Sequence, residues 1–499
     1  MKIAGICLFF LGCSVAVAQK TGYAGYSEAT VKALQQEIIN LGGQTDLAHA
    51  SLGFCVYAPD SNMIIASYNP ELALTPASTM KLVTTAAALG ILGVYFKFST
   101  ALEYSGMFDT ITGVIHGNLY VKGGGDPTLG SERAGEHFGN TIESWVNVLK
   151  EKGVKEITGN IIADQDIFDD QFIPVHWIWG DIGNYYGAGS TGLCFNENSF
   201  AAYFNSGKEK GDSVKLVKTV PDMKEYNIFN FVTTGPKYSG DKSWFASSPW
   251  GNDIFMYGKI GAAEKDFEVE GTIPDPPLLC VSLFRDSLSA CGIRVGGQHT
   301  TSRLMRRKGI AMDSVRTEMH AWNSKALISI VYMTNKSSVN LYAETMIRMI
   351  GVKQRGSGNV SSGTDAVESY WKGKKIDMKG FRMYDGSGLS KHNTVTPLQF
   401  CQILDAIQSE KYYKAFYESL PVAGKSGTLA SMCKGTSADG KVVAKSGYMS
   451  NVRCYAGYVT TQKGSIVTFA IMANNFDCSA SAMKKKIEKI FVKMADLSR

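Results

Sequence analysis

The sequence predicts an α/β protein: an antiparallel sheet flanked by helices, assembled from residues 19–100 and 305–499, with a β-rich insertion of one or two modules over residues 101–304. Three observations support this. Apolar residues recur at helical spacing near both ends of the chain, and short strand-like runs lie beside them. Between about residues 100 and 300 the texture changes to short strands broken by Gly, Asn, Asp and Pro turns. A length of 499 residues also exceeds one ordinary domain.

Taken in order, residues 1–18 read as a signal peptide. Lys2 is followed by an apolar stretch from Ile3 to Leu11, and Ala16-Val17-Ala18 supplies the small-x-small cleavage pattern. The stretch is too short to span a bilayer. Export to the periplasm follows, with lipoprotein processing at Cys13 (Leu11-Gly12-Cys13) as the alternative. Ala29 to Leu41 then predicts a helix, stopped by Gly42-Gly43. Ser51–Tyr57 and Met63–Tyr68 predict two strands around the turn Pro59-Asp60-Ser61-Asn62. Met80 to Leu92 is a long apolar helical run. Helical signals return over Asn340–Ile350, strands are expected over Val452–Thr460 and Ser465–Asn474, and a last helix runs from about Ser479 to Ala495.

Hydrophobic residues at 44% and charged residues at 19% exclude a disordered chain. The net charge of +6 is small for this length and scattered, so no nucleic-acid stripe is indicated. No later segment holds 18 uninterrupted apolar residues, so no membrane span is expected. Eight of the ten cysteines lie beyond the leader, an even number that permits disulfides without fixing their pairing. With no C-x-x-C, no H-E-x-x-H and dispersed histidines, neither a metal nor another cofactor is expected.

The chemistry starts at Ser78-Thr79-Met80-Lys81. Residues three apart on a helix face the same way, so a lysine there can take the proton of the serine hydroxyl. Desolvation of such a lysine lowers its pKa toward neutrality. S-x-x-K also occurs at Ser369/Lys372, Ser431/Lys434 and Ser481/Lys484. Only Lys81 leads into a long apolar run that buries a helix from its first turn. A second element is Ser338-Val339-Asn340, whose hydroxyl can relay a proton near the lysine and whose amide can bond both lysine and substrate. On its own this pattern is equally an N-cap. The third is Lys445-Ser446-Gly447-Tyr448: an edge-strand lysine can grip a carboxylate, and glycine lets a substrate backbone lie close. A look-alike, Lys425-Ser426-Gly427-Thr428, precedes it. The apolar strands and helix that follow Gly447, but not Gly427, favour Lys445 and make the first copy a covering loop. Gly424-Lys425-Ser426 fails as a P-loop because Ser419 stands where its first glycine is needed.

In this order the three elements resemble the signature of penicillin-binding proteins and serine β-lactamases. The chain is most similar to the class C low-molecular-mass penicillin-binding proteins, the D-alanyl-D-alanine carboxypeptidase/endopeptidase family. Gly117-Asn118-Leu119-Tyr120, Gly124-Gly125-Asp126-Pro127, Tyr186-Gly187-Ala188-Gly189 with Phe195-Asn196-Glu197-Asn198, and Asp385-Gly386-Ser387-Gly388-Leu389-Ser390 carry the likeness. The resemblance implies a penicillin-binding/β-lactamase-like transpeptidase domain. It implies Ser78 acylated, Lys81 as base, and Ser338 and Asn340 assisting. Lys445 and Ser446 would hold the D-Ala-D-Ala carboxylate, and the N–H groups of Ser78 and Tyr448 would form the oxyanion hole. Lys391 stands where the family carries arginine; it keeps the charge that reads the third stem-peptide residue but loses the bidentate fork. Implied partners are peptidoglycan stem peptides and, as covalent inhibitors, β-lactam antibiotics. Two other readings stay open. One is a β-lactamase, which would not need the insertion and for which no E-x-x-L-N motif is present. The other is a silent wall-binding module, although every side chain for acylation is retained.

Overall fold

The computed structural model describes residues 23–499. The leader and the two cysteines within it, Cys7 and Cys13, lie outside the described residues. A five-stranded antiparallel sheet organises the chain ends. Its strands are β1 (Ser51–Ala58), β2 (Met63–Tyr68), β3 (Val442–Met449), β4 (Val452–Thr460) and β5 (Ile466–Asn474). Their spatial order is β3-β4-β5-β1-β2, so the first hairpin docks onto the last strand and closes the sheet from both ends of the sequence.

Alternation along these strands supplies two apolar faces. Phe54, Val56, Tyr455, Phe469 and Ile471 face α1 (Glu28–Gly42) and the C-terminal helix Ala480–Ala495. On the opposite face Cys55, Tyr57, Ala456, Tyr458, Ala470 and Met472 meet the helices that carry the site. These are α2 (Met80–Leu92), α3 (Leu327–Ser337), α4 (Asn340–Arg355) and α5 (Pro397–Gln408). Every residue of α2 from Met80 to Leu89 is buried, Lys81 among them. Helix α5 opens with a capping box: Thr396 accepts from the Gln399 N–H, Gln399 caps Thr396 in return, and Pro397 sits at the first turn.

The inserted region holds more than strands. Besides its strands it contains two long helices, Phe138–Glu151 and Pro276–Ala290, packed through Trp145, Leu149, Phe284 and Leu288. Several of its strand pairs are parallel, such as Leu119–Lys122 with Ile161–Asp164, and parallel strands need crossovers. The return to the main sheet also comes later than residue 305. Strand Arg316–Asn323 pairs with Ser99–Ser105, which keeps the segment to Asn323 with the insertion's sheet. A second apolar cluster, around Phe200, Phe204, Phe245 and Met256, forms a further module.

Among the described residues all eight cysteines are unpaired, and most are buried. No described helix is long and apolar enough to cross a membrane, and no group of His, Cys, Asp or Glu among the described residues could hold a metal ion.

Candidate active site

Ser78 lies on a single 3-10 turn, Ala77–Thr79, that runs straight into α2. Ala77 has φ +48°, a left-handed conformation that L-residues adopt only under constraint, so the turn is held in a strained shape. Lys81 follows one helical turn later, and its Nζ lies 3.0 Å from Ser78 Oγ. Two further partners flank Nζ: Asn340 Oδ1 at 2.6 Å and the Ser387 carbonyl at 2.8 Å. Both can only accept. A neutral amine that gives its two protons to them keeps its lone pair for the Ser78 hydroxyl. Burial drives Lys81 toward that neutral form and lowers its pKa to about 7, against the opposing pull of Glu344 and Asp385. Holding this amine uncharged costs on the order of 5 kcal/mol relative to water. A few fully buried aliphatic side chains, at about 1.5–3 kcal/mol each, offset it.

The second element joins α3 to α4. Ser338 stands at the junction with φ +61°, and Asn340 begins α4. Asn340 Nδ2 donates to the Tyr186 carbonyl at 2.7 Å, which fixes its Oδ1 toward Lys81 and leaves one N–H for a ligand. Ser338 bonds the other buried lysine of the site, which itself lies near Lys81. Its Oγ accepts from Lys445 Nζ at 2.9 Å, which ties the second element to the third.

Lys445 lies on edge strand β3, fully buried, and its second partner is the Ser446 carbonyl at 2.8 Å. Burial, followed by the nearby Lys81, pushes its pKa well below the ordinary lysine value. Gly447 sits where the strand passes the serine turn: a Cβ there would come within 2.5 Å of the Pro76 carbonyl and 3.1 Å of the Ser78 nitrogen. Only glycine allows this approach. Tyr448 projects outward with the Arg453 guanidinium 4.5 Å from its ring centroid.

These groups open onto one cavity of about 700 Å³, lined by Ser78, Ser338, Asn340, Lys391, Ser446 and Tyr448 together with residues of the insertion. Lys81 and Lys445 lie buried beneath it. Lys391 stands on the rim, where its charge lowers the pKa of Asp181 against the larger upward effect of burial.

Several contributors went unassigned in the sequence. Glu344, one turn beyond Asn340, accepts the Gly386 and Ser387 N–H groups at 3.1 and 2.7 Å. Burial and neighbouring Asp385 push its carboxyl pKa up. Asp385 accepts from Gly388 N–H at 2.8 Å, Ser390 N–H at 2.5 Å, Asn393 Nδ2 at 2.7 Å and Trp177 Nε1 at 2.8 Å. The two carboxylates thus cradle the Asp385–Ser390 loop and aim the Ser387 carbonyl at Lys81. A signal was present, since Asp385 opens a Gly-Ser-rich motif that needs an acceptor for its N–H groups. Thr428 was overlooked with the look-alike copy. It accepts from Ser446 Oγ at 2.7 Å and lines the cavity, while Lys425 of that copy points away, ion-paired to Asp439 at 3.0 Å. Lys484, set aside above with the other S-x-x-K copies, also reaches the cavity wall.

The model of the D-Ala-D-Ala carboxypeptidase 3 (S13) family matches residues 34–497. The chain belongs to this family. As an S13 member it is a serine-type D-Ala-D-Ala carboxypeptidase with the fold of a low-molecular-mass penicillin-binding protein. It is 28% identical over 477 residues to a D-alanyl-D-alanine carboxypeptidase of Actinomadura sp. (strain R39), covering 93% of this chain and 84% of that one. It is 25% identical over 449 residues to the D-alanyl-D-alanine carboxypeptidase DacB of Haemophilus influenzae, covering 88% of each. The crystal structure of penicillin binding protein 4 (dacB) from Haemophilus influenzae superposes with a TM-score of 0.77 at 24% identity, over 93% of this chain and 97% of that chain. It shares the S13 fold, an α/β penicillin-binding domain with added β-rich structure.

Proposed function

We propose that the chain releases the terminal D-alanine of peptidoglycan stem peptides through an acyl-enzyme on Ser78, and that β-lactams acylate the same oxygen. One observation carries this reading: a buried Lys81 amine, its pKa brought by burial to about 7, lies 3.0 Å from a serine hydroxyl that opens onto a cavity. Lys81 takes the Ser78 proton as Oγ attacks the penultimate carbonyl, and the oxyanion forms between the Ser78 and Tyr448 N–H groups. The close passage of Gly447 beside the Ser78 nitrogen supports that pairing. The leaving amine takes a proton relayed from Lys81, with Ser338 and Lys445 adjoining the path. Water then hydrolyses the ester with Lys81 again as base. In the cell this work belongs to the periplasm, and cross-link cleavage is the same chemistry with a longer leaving group. Release of D-alanine from an acylated tripeptide ending in D-Ala-D-Ala tests the reading; neither release nor penicillin acylation would refute it.

Lys445 serves the substrate carboxylate. Buried beside Lys81 with only neutral acceptors, it gains a counter-ion when a carboxylate arrives. Ser446 and Thr428 place their hydroxyls at the same end of the cavity. Lys445→Ala is expected to lower kcat/KM on such peptides by about 1.5–3 kcal/mol, roughly ten- to a hundredfold. Lys425→Ala, a surface change 61% exposed at its side chain, should leave it nearly unchanged. Steady-state kinetics on both variants checks the ranking, and the reverse order would assign the wrong copy.

Lys391 and Asp181 put opposite charges on one rim. If Lys391 reads the third residue of the stem, Lys391→Ala weakens cleavage of peptides whose side chain ends in a carboxylate more than cleavage of analogues without it. Equal losses on the two substrates would remove Lys391 from specificity.

A further inference from the structure

The insertion carries an open aromatic face that the acylation chemistry does not use. Strand Asp253–Ile260 is flanked by Asn227–Asn230 on one side and Asp241–Ser247 on the other. The register sets Phe229 beside Phe255 and Trp244 beside Tyr257, and Phe231 follows next to Tyr257. Their alternates Phe245, Ile254 and Met256 fill the core beneath, so the five rings share the outward face. The rings lie nearly parallel: Phe229–Phe255 at 4.9 Å, Trp244–Tyr257 at 4.8 Å, Phe231–Tyr257 at 5.5 Å and Phe255–Tyr257 at 6.4 Å between centroids. Phe229, Phe231 and Trp244 are 42%, 56% and 39% exposed. Isolated exposed aromatics are ordinary, but a contiguous sheet of them left in water marks a binding surface. Polar groups border it, with the Asn227–Asp253 hydrogen bond of 2.8 Å at one end and Lys242 opposite Lys259 at the other.

This face is joined to the candidate active site. Trp244, with Asp241 and Ser243, lines a second cavity of about 380 Å³. Three residues of that cavity, Tyr185, Tyr186 and Glu270, also line the cavity that holds Ser78.

We propose that the aromatic face binds the glycan strand of peptidoglycan, and that the second cavity guides the attached stem peptide toward Ser78. The proposal rests on the functional reading above, which makes the substrate a peptide hanging from a chain of β-linked amino sugars. Pyranose rings present flat faces of C–H groups that pack on the electron-rich faces of aromatic rings. The row of parallel, stacked rings, interrupted only by the small side chain of Ala246 opposite Phe255, offers its free end faces and outward edges to such sugar faces. The bordering carboxylate, amide and ammonium groups suit hydroxyl and acetamido substituents. Three adjacent strands make the platform about 10 Å wide, enough for more than one sugar ring.

The test uses the full chain and peptide-free probes: a soluble N-acetylglucosamine oligomer followed by tryptophan fluorescence, and sacculi stripped of their peptides in a sedimentation assay. The wild-type protein should bind both. Trp244→Ala and Phe231→Ala should each weaken binding by about tenfold, the loss expected of one stacked ring. Their thermal midpoints and penicillin acylation rates should match the wild type, which separates a binding role from a folding role. Absence of binding by the wild-type protein, or unchanged binding by both variants, would overturn the proposal. So would variants that turn an oligomer into a monomer at unchanged glycan affinity, because the face would then be an interface between copies. Glycan binding by a chain that penicillin does not acylate would sink the catalytic reading and leave the face standing.

Discussion

Ser78→Ala is expected to abolish covalent labelling by penicillin and release of D-alanine while leaving the protein folded. The hydroxyl makes one hydrogen bond, to Lys81, and faces a cavity, so its removal neither opens a hole in the core nor strands a charge. Lys81 keeps its two other acceptors, Asn340 Oδ1 and the Ser387 carbonyl. The thermal midpoint should therefore stay within a degree or two, which corresponds to about 0.5 kcal/mol or less for a chain of this size. Ser338, Ser426 and Ser431 also accept from lysines (Lys445, Lys336 and Lys484), but among these four serines only Ser78 shares its lysine, Lys81, with Asn340 Oδ1 and the Ser387 carbonyl. Gel fluorescence after labelling reads the first effect and a thermal scan the second. Labelling that persists in the variant would remove Ser78 from the mechanism.

Lys81 carries the second large effect. Lys81→Ala should slow acylation by about 10²–10⁴-fold, the range for loss of a positioned general base. The pH profile adds an independent signature. The base works only when unprotonated, and burial brings its pKa down from 10.5 to about 7. Acylation by the wild type should therefore rise with pH, by about tenfold per unit well below 7, and level off above it. In Lys81→Ala this limb should vanish. A wild-type acylation rate independent of pH between 5 and 9 (about two units either side of that pKa) would show that a different group accepts the proton.

The main sheet and its helices were legible because their periodicity is strong. Strand Val452–Thr460 and helix Met80–Leu92 fall where the apolar pattern places them, since both are buried along most of their length. Among the S-x-x-K copies the one at Ser78 stands out for the same reason: burial of a helix from its first turn can be read from Leu82 through Leu89. The insertion was read less well. Its helices Phe138–Glu151 and Pro276–Ala290 lie between short strands, and turn residues around them outweighed a helical spacing carried by Ile142, Trp145 and Leu149. Parallel pairing, as of Leu119–Lys122 with Ile161–Asp164, leaves no local mark because the partners are far apart in sequence. Long-range polar contacts were also out of reach. No spacing shows that Asn340 holds the Tyr186 carbonyl, that Glu344 braces the Asp385–Ser390 loop, or that Ser338 accepts from Lys445. Each depends on which elements pack together, and that is settled by the fold.

The measurement that bears most directly on the central claim is the site of acylation in the unaltered protein. The chain is labelled with penicillin, digested, and its peptides sequenced by mass spectrometry. The account predicts a single adduct on Ser78, in the peptide that ends at Lys81, formed faster above pH 7 than below it. An adduct on Ser338, Ser426 or Ser446, or no adduct at any pH, would contradict it.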